Sequence, residues 1–175
     1  MLHTPHKLSE DLEGASAIGT AVHLLVQLLA ELDVGPPEPK AVIERARLHV
    51  GRGRSPSARQ AKRVAVSTLA NVYVQSFWPL GGRLVASELV AEDTAIDLLW
   101  LLRDGTLRAD ELKTGMVAGP LHEGTVGQAR AQAANAGALL GTSFIGVRVV
   151  VLQRPDDSFL VRPDGVINVL PGGPR

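Results

Sequence analysis

The chain has 175 residues, 45% of them hydrophobic, and its 18 basic and 18 acidic side chains leave no net charge. That is the length and composition of one globular domain, able to bury roughly 70% of its unfolded surface. The absence of cysteine excludes disulfides, thiolate zinc sites and iron–sulfur clusters and fits a cytoplasmic protein, while the charge balance excludes a globally basic nucleic-acid binder but not a local basic patch.

Residues 1–13 are polar and expected to fray, and no basic segment precedes an apolar one there, so no signal peptide is expected. From Ala15 to Leu32 the apolar residues Ile18, Val22, Leu25, Leu29 and Leu32 recur at helical spacing, which predicts a helix with those side chains inward. The same stretch is interrupted by His23, Gln27 and Glu31, so it is too polar and too short to span a bilayer. "GPPEP" (35–39) ends this helix, and a short one follows over about 39–50. "GRGRSPS" (51–57) reads as a basic loop, with Ser55 or Ser57 as the cap of a second long helix over 58–77. Val64, Leu69, Val72 and Phe77 are its expected inward residues.

Arg45, Arg47, Arg52, Arg54, Arg59, Lys62 and Arg63 lie in this region with no acid among them. Taken alone, such a run is a solvated face. It becomes a phosphate-tracking patch only where something else points to nucleic acid.

After "WPLGG" (78–82) the texture changes. "RLVASELVA", "TAIDLLWLL" and "TLRADELK" are β-rich runs, with "RDG" (103–105) a tight turn between the last two. A glycine-containing loop leads to an Ala-rich helix over 125–140. Two more strands, "FIGVRVVVLQ" and "SFLVRP", are joined by "RPDD", and the tail "PGGPR" is expected to be disordered. The order predicts an α/β fold in a single domain over 1–175, a mixed central sheet of about five strands flanked by helices.

Asp97 sits in a run that is apolar on both sides, the pattern of a strand covered on both faces. A lone carboxylate there needs a partner, either an arginine, backbone donors or a metal. Asp97 and Glu111 stand at equal distances in sequence from Asp104, so a hairpin centred on that residue makes them neighbours, with Cβ atoms about 5 Å apart. Like charges so placed repel, and a divalent cation between them removes the objection. Glu111 and Lys113 share one strand face, with Asp110 and Leu112 on the other. Lys113 is thus placed to hold an attacking water and a developing negative charge.

Asp97 followed by Glu111-Leu112-Lys113 resembles the D…(D/E)xK signature of the PD-(D/E)xK nuclease superfamily. "AIGTAVHLL" (17–25) is similar to the Gly-Thr-x-x-His helix of RecB-family nuclease domains, as in RecB and AddB. His23 lies about 140° around the helix from Ile18, off the apolar stripe. "SELV" (87–90) resembles the glutamate-bearing strand of that family, and "ELKTG" stands where it often reads "DYKTG". Gln128 matches the Gln that opens a later helix, but Gln132 stands where the family carries Tyr. The resemblance runs from about residue 14 to 140.

The resemblance implies a restriction-endonuclease-like core and metal-dependent hydrolysis of DNA, in repair, recombination or the processing of phage or mobile elements. His23, Asp97, Glu111 and the Leu112 carbonyl would hold Mg²⁺ or Mn²⁺, with Glu88 an acid behind them. Lys113 would position the water, Gln128 would orient Lys113 or meet the phosphate, and the basic segment 45–63 would track the DNA backbone. No Gly-Lys-Ser/Thr nucleotide loop is present, so ATP-driven unwinding would fall to a separate helicase. Two rivals remain. One is a nucleic-acid-binding module that keeps the fold without catalysis. The other is an assembly protein in which Glu111–Lys113 is a surface ion pair worth under ~1 kcal/mol.

Overall fold

A computed structural model of the protein describes residues 15–32, 35–51, 55–115 and 122–170. The terminal segments expected to be disordered, and Arg52 and Arg54, lie outside them.

Three helices come first: α1 (Ala15–Leu32), α2 (Pro39–His49) and α3 (Pro56–Ser76). Ser55 is the cap of α3, its hydroxyl accepting the Ala58 N–H at 3.2 Å, with Pro56 in the first turn where no N–H is missed. The strands β1 (Arg83–Ala91), β2 (Thr94–Leu101) and β3 (Leu107–Lys113) form an antiparallel meander. Helix α4 (Glu123–Leu140) then crosses over to β4 (Phe144–Val151), which pairs parallel with β3. β5 (Phe159–Val161) and β6 (Ile167–Val169) complete a mixed sheet in the order β1-β2-β3-β4-β5-β6.

The sheet therefore has six strands rather than about five. The extra one, β6, is a three-residue edge strand with Asn168 and Val169 exposed, so no apolar run marks it. No helix among the described residues is long and apolar enough to cross a membrane.

Two cores sandwich the sheet, as expected of strands that are apolar on both faces. On one face Val22, Leu25, Val26 and Leu29 of α1 and Val66, Ala70, Tyr73 and Val74 of α3 pack on Leu98, Trp100, Leu112 and Val150. On the other, Val126, Ala129, Ala133 and Ala136 of α4 lie over Ile96, Leu99, Ala109, Val147 and Val149. Small alanines let α4 lie close to the sheet. Two expected core residues are corrected: Val64 and Leu32 are 53% and 54% exposed. The buried stripe of α3 is built from Val66, Ala70, Tyr73 and Val74, one of them alanine, and Val64 lies off it. Leu32 ends α1 beyond the sheet.

The β2–β3 turn sets the geometry of the candidate site. Gly105 has φ +84°, a conformation that side chains avoid, and its N–H donates to the Leu102 carbonyl at 3.0 Å. Asp104 Oδ1 accepts from the Thr106 N–H at 2.9 Å and its hydroxyl at 2.7 Å. These bonds hold Asp104 below the usual carboxylate range, the hydroxyl contributing most. The ladder leaving the turn runs from Leu101↔Leu107 to Leu98↔Asp110, the register read from the sequence.

Candidate active site

At the next position, Asp97 and Glu111, the ladder gives way. The Leu112 N–H donates to Asp97 Oδ2 at 2.7 Å, a side-chain acceptor in place of a strand carbonyl. Asp97 turns toward α1, where its Oδ1 lies 3.2 Å from His23 Nδ1. Glu111 turns toward α4. The two carboxylates are thus drawn to opposite layers at the point where β2 and β3 part, which relieves their repulsion without a buried charge being left unpaired.

His23 reaches Asp97 because α1 lies very close to the end of β3. A Cβ at Gly19, one turn before His23, would stand 2.7 Å from Thr114 Oγ1. Gly19 of "AIGTAVHLL" therefore fits against the threonine that follows Lys113, and only a missing side chain lets the helix approach so near. His23 is partly buried, and burial alone would disfavour its charged form. The hydrogen bond and charge of Asp97, then the charge of Glu111 and a backbone bond at Leu112, outweigh that and hold its pKa above the ordinary imidazole value.

Glu111, 6% exposed, is gripped from three sides. Its Oε1 accepts from Lys113 Nζ at 2.9 Å and Gln128 Nε2 at 3.1 Å. Lys113 Nζ also donates to Gln128 Oε1 at 3.0 Å, which closes a ring of three side chains. Gln132 Nε2 donates to Glu111 Oε2 at 2.8 Å. Gln128 and Gln132 are four apart in α4 and so lie on one face, the signal in the sequence that they act together. Gln132, in the sequence only a departure from Tyr, is a direct partner of the carboxylate.

Glu88 lies in β1 between the pairs Ser87↔Leu98 and Leu89↔Ile96, hence across from Asp97. Its side chain is exposed, and its backbone takes a left-handed φ of 50°. Arg45 and Arg47 lie on α2, and Arg59, Lys62 and Arg63 on the first half of α3, so the described part of the basic segment comes from two packed helices.

On the opposite face of β3 from Glu111 lies a second polar cluster that the sequence reading left out. Asp110, fully buried, accepts from Tyr73 Oη at 2.7 Å, from Arg148 Nε at 2.9 Å and Nη2 at 2.5 Å, and from Arg108 Nε at 3.2 Å. Arg148 also donates to the Phe77 carbonyl at 2.6 Å, and Trp100 Nε1 to the Tyr73 hydroxyl at 3.0 Å. Burial alone would raise the pKa of Asp110, but the charges of Arg148 and then Arg108 outweigh it and hold the carboxyl below its usual range. Burial also pushes the Tyr73 phenol well above its ordinary value. This cluster fastens α3 to the strand that carries Glu111 and Lys113.

As they stand, no three His, Asp or Glu side chains among the described residues lie close enough together to hold a metal ion. The chemistry of the donor set nonetheless suits a hard divalent cation. The imidazole of His23 and the carboxylate of Asp97 meet beside Leu112, and Glu111 stands on the neighbouring residue of β3 with its carboxylate turned toward α4. Compared with known proteins, the sequence matches no family model and no characterised protein.

Proposed function

We propose that the protein is a metal-dependent deoxyribonuclease of the PD-(D/E)xK type, with a restriction-endonuclease-like core. The observation that carries this reading is the meeting of His23 with Asp97 beside Leu112, while Glu111 and Lys113 share a hydrogen-bonded ring one residue away. Three separated sequence segments supply these groups. An assembly protein with a surface ion pair has no need of that convergence.

In this reading His23, Asp97, Glu111 and the Leu112 carbonyl hold Mg²⁺ or Mn²⁺. When bound, the cation supplies positive charge to the phosphate oxygens and acidifies water. Asp97 orients His23 and is itself fixed by the Leu112 N–H. Lys113 is the one ammonium in the ring. Its Nζ, held between Glu111 and Gln128, carries donors to steady the extra negative charge that gathers on the phosphoryl oxygens as water attacks. Gln128 keeps that ammonium in place by accepting from it. Arg45, Arg47, Arg59, Lys62 and Arg63 supply phosphate contacts along the DNA, whose strength falls with salt. DNA is the partner, with unwinding left to a separate helicase.

The alternative, a nucleic-acid-binding module without catalysis, is favoured by the hold of Lys113, Gln128 and Gln132 on Glu111, which draws it away from His23 and Asp97. The test is to incubate the purified protein with linear and circular DNA, single- and double-stranded, in Mg²⁺, Mn²⁺ or EDTA. The nuclease reading predicts cleavage with metal and none with EDTA, and loss of linear substrate alone would mark an exonuclease. Binding without cleavage under every metal supports the module instead.

A further inference from the structure

Arg108 stands near the start of β3, at the end of the strand away from Lys113. Its neighbour Arg148 donates to both oxygens of Asp110, at 2.9 and 2.5 Å, and to the Phe77 carbonyl, and lies 5.3 Å from the centre of the Phe77 ring. Arg108 reaches the same carboxylate only through Nε, at 3.2 Å. Its side chain is 15% exposed, and its Nη2 is buried with no hydrogen-bond partner among the described residues. Two guanidiniums thus share one carboxylate, and Arg108 holds the smaller part. A buried cation without a counter-charge of its own is costly. Burial, together with the charge of Arg148, outweighs Asp110 and holds the Arg108 pKa below the ordinary guanidinium range.

Arg108 and Arg148 also line an open cavity of about 870 Å³ between the end of α3, the β2–β3 turn and β5. Small-molecule sites span about 300–1,000 Å³. Leu102, Ile145 and Leu160 give this one half-buried apolar walls, and Trp78 lines it with an indole N–H that is buried and likewise without a partner among the described residues. The other charged groups of the lining, Glu38, Asp104, Asp156 and Arg103, are all exposed. The buried part of the cavity therefore offers donors and one surplus positive charge, while its exposed part is acidic on balance. We propose that the cavity binds a small monocarboxylate with an apolar body. The carboxylate pairs with Arg108, whose planar fork matches two carboxylate oxygens, and the body lies on Leu102, Ile145 and Leu160. Arg108 meets the ligand by turning its guanidinium away from Asp110, which keeps its bonds from Arg148 and Tyr73. A second negative charge on the ligand would meet the exposed acids, so a phosphate monoester fits less well. His23, Asp97, Glu111 and Lys113 are not part of this lining, and the proposal does not depend on the nuclease reading.

The experiment titrates the wild-type protein with cyclohexanecarboxylate, with its neutral counterpart cyclohexylmethanol and with cyclohexyl phosphate. Binding is read by NMR from the indole N–H groups of the two tryptophans, Trp78 and Trp100. The carboxylate should bind about 10- to 100-fold more tightly than the alcohol, the scale of a hydrogen bond to a charged group, and more tightly than the phosphate ester. The Trp78 resonance should shift, and that of Trp100, whose N–H is bonded to the Tyr73 hydroxyl, should shift less. Equal affinities for carboxylate and alcohol, or a Trp78 resonance that stays still, overturn the proposal. A preference for the phosphate ester overturns the choice of a monoanion.

Three variants locate the charge. Arg108→Gln should bring the carboxylate down to the affinity of the alcohol, and Arg108→Lys should keep part of the preference. Arg103→Gln, at an exposed and screened position, should leave it little changed. A carboxylate preference that survives Arg108→Gln overturns the assignment. The wild-type titrations decide the proposal even where Arg108→Gln does not fold.

Discussion

Gly19→Ala tests the close approach that brings His23 to the sheet. In an ordinary helix the change is favourable by about 0.8–1.0 kcal/mol. Here the new methyl would sit 2.7 Å from Thr114 Oγ1 but 3.8 Å from Thr114 Cβ. The first distance forces something to move, at a cost of about 1–3 kcal/mol for overpacking, while the second is ordinary contact. The net effect of Gly19→Ala is therefore a loss of roughly 0–2 kcal/mol, from the two ranges together. With Thr114→Ala the obstructing hydroxyl is gone, and the helix gain of about 1 kcal/mol is realised in full. The sign of the Gly19→Ala effect thus turns on residue 114. Urea unfolding of wild type, both single variants and the double variant measures the coupling, expected at about 1–3 kcal/mol against the ~0.3–0.5 kcal/mol of independent sites. A Gly19→Ala change that stabilises equally in both backgrounds would show that α1 does not rest on Thr114, and the placement of His23 would lose its support.

Other outcomes follow from the same structure. Asp110→Asn leaves Arg148 and Arg108 without their buried counter-charge and should destabilise the fold by about 3–5 kcal/mol in thermal or urea unfolding. Because the folded-state pKa of Asp110 is lowered, its contribution is present above the unfolded value of about 3.9 and is lost as pH falls through the folded value. Acidification below about pH 4 should therefore narrow the stability gap between wild type and Asp110→Asn, and a gap that widens there would contradict the sign. Gln128→Leu frees Lys113 from one of its two holds and should lower the cleavage rate about 10- to 100-fold with DNA affinity little changed, as read from single-turnover kinetics beside a binding titration. If the basic helices track phosphate as proposed, replacing Lys62 or Arg47 by alanine should weaken DNA binding alike for all sequences and reduce its salt slope by about one.

Much of this architecture is legible in the sequence because local chemistry decides it. The bounds of α1 follow from its apolar spacing, and the Asp104–Gly105 turn fixes the β2–β3 register, so Leu98 opposes Asp110 as the symmetry about Asp104 requires. What stays hidden depends on distant partners. Asp110 reads as an ordinary acid because its partners Tyr73 and Arg148 come from 37 and 38 residues away. Which way Asp97 and Glu111 turn is equally unreadable, since it depends on His23 from one layer and Gln128 and Gln132 from the other. Gln132 illustrates the limit well: its position in α4 follows from the helix, but its bond to the Ala95 carbonyl depends on how α4 is seated on β2.

Lys113, clamped by Glu111 and Gln128, is the side chain on which the proposed metal-dependent phosphodiesterase centre turns. The most direct measurement is single-turnover cleavage of DNA in Mg²⁺ by wild type and Lys113→Ala, with DNA affinity measured separately in EDTA. Cleavage by wild type is expected, with a loss of about 10²- to 10³-fold in the variant as for removal of one charge-stabilising donor, and comparable affinity for both. Equal rates in the two proteins, or no cleavage by folded wild type with either Mg²⁺ or Mn²⁺, would contradict it.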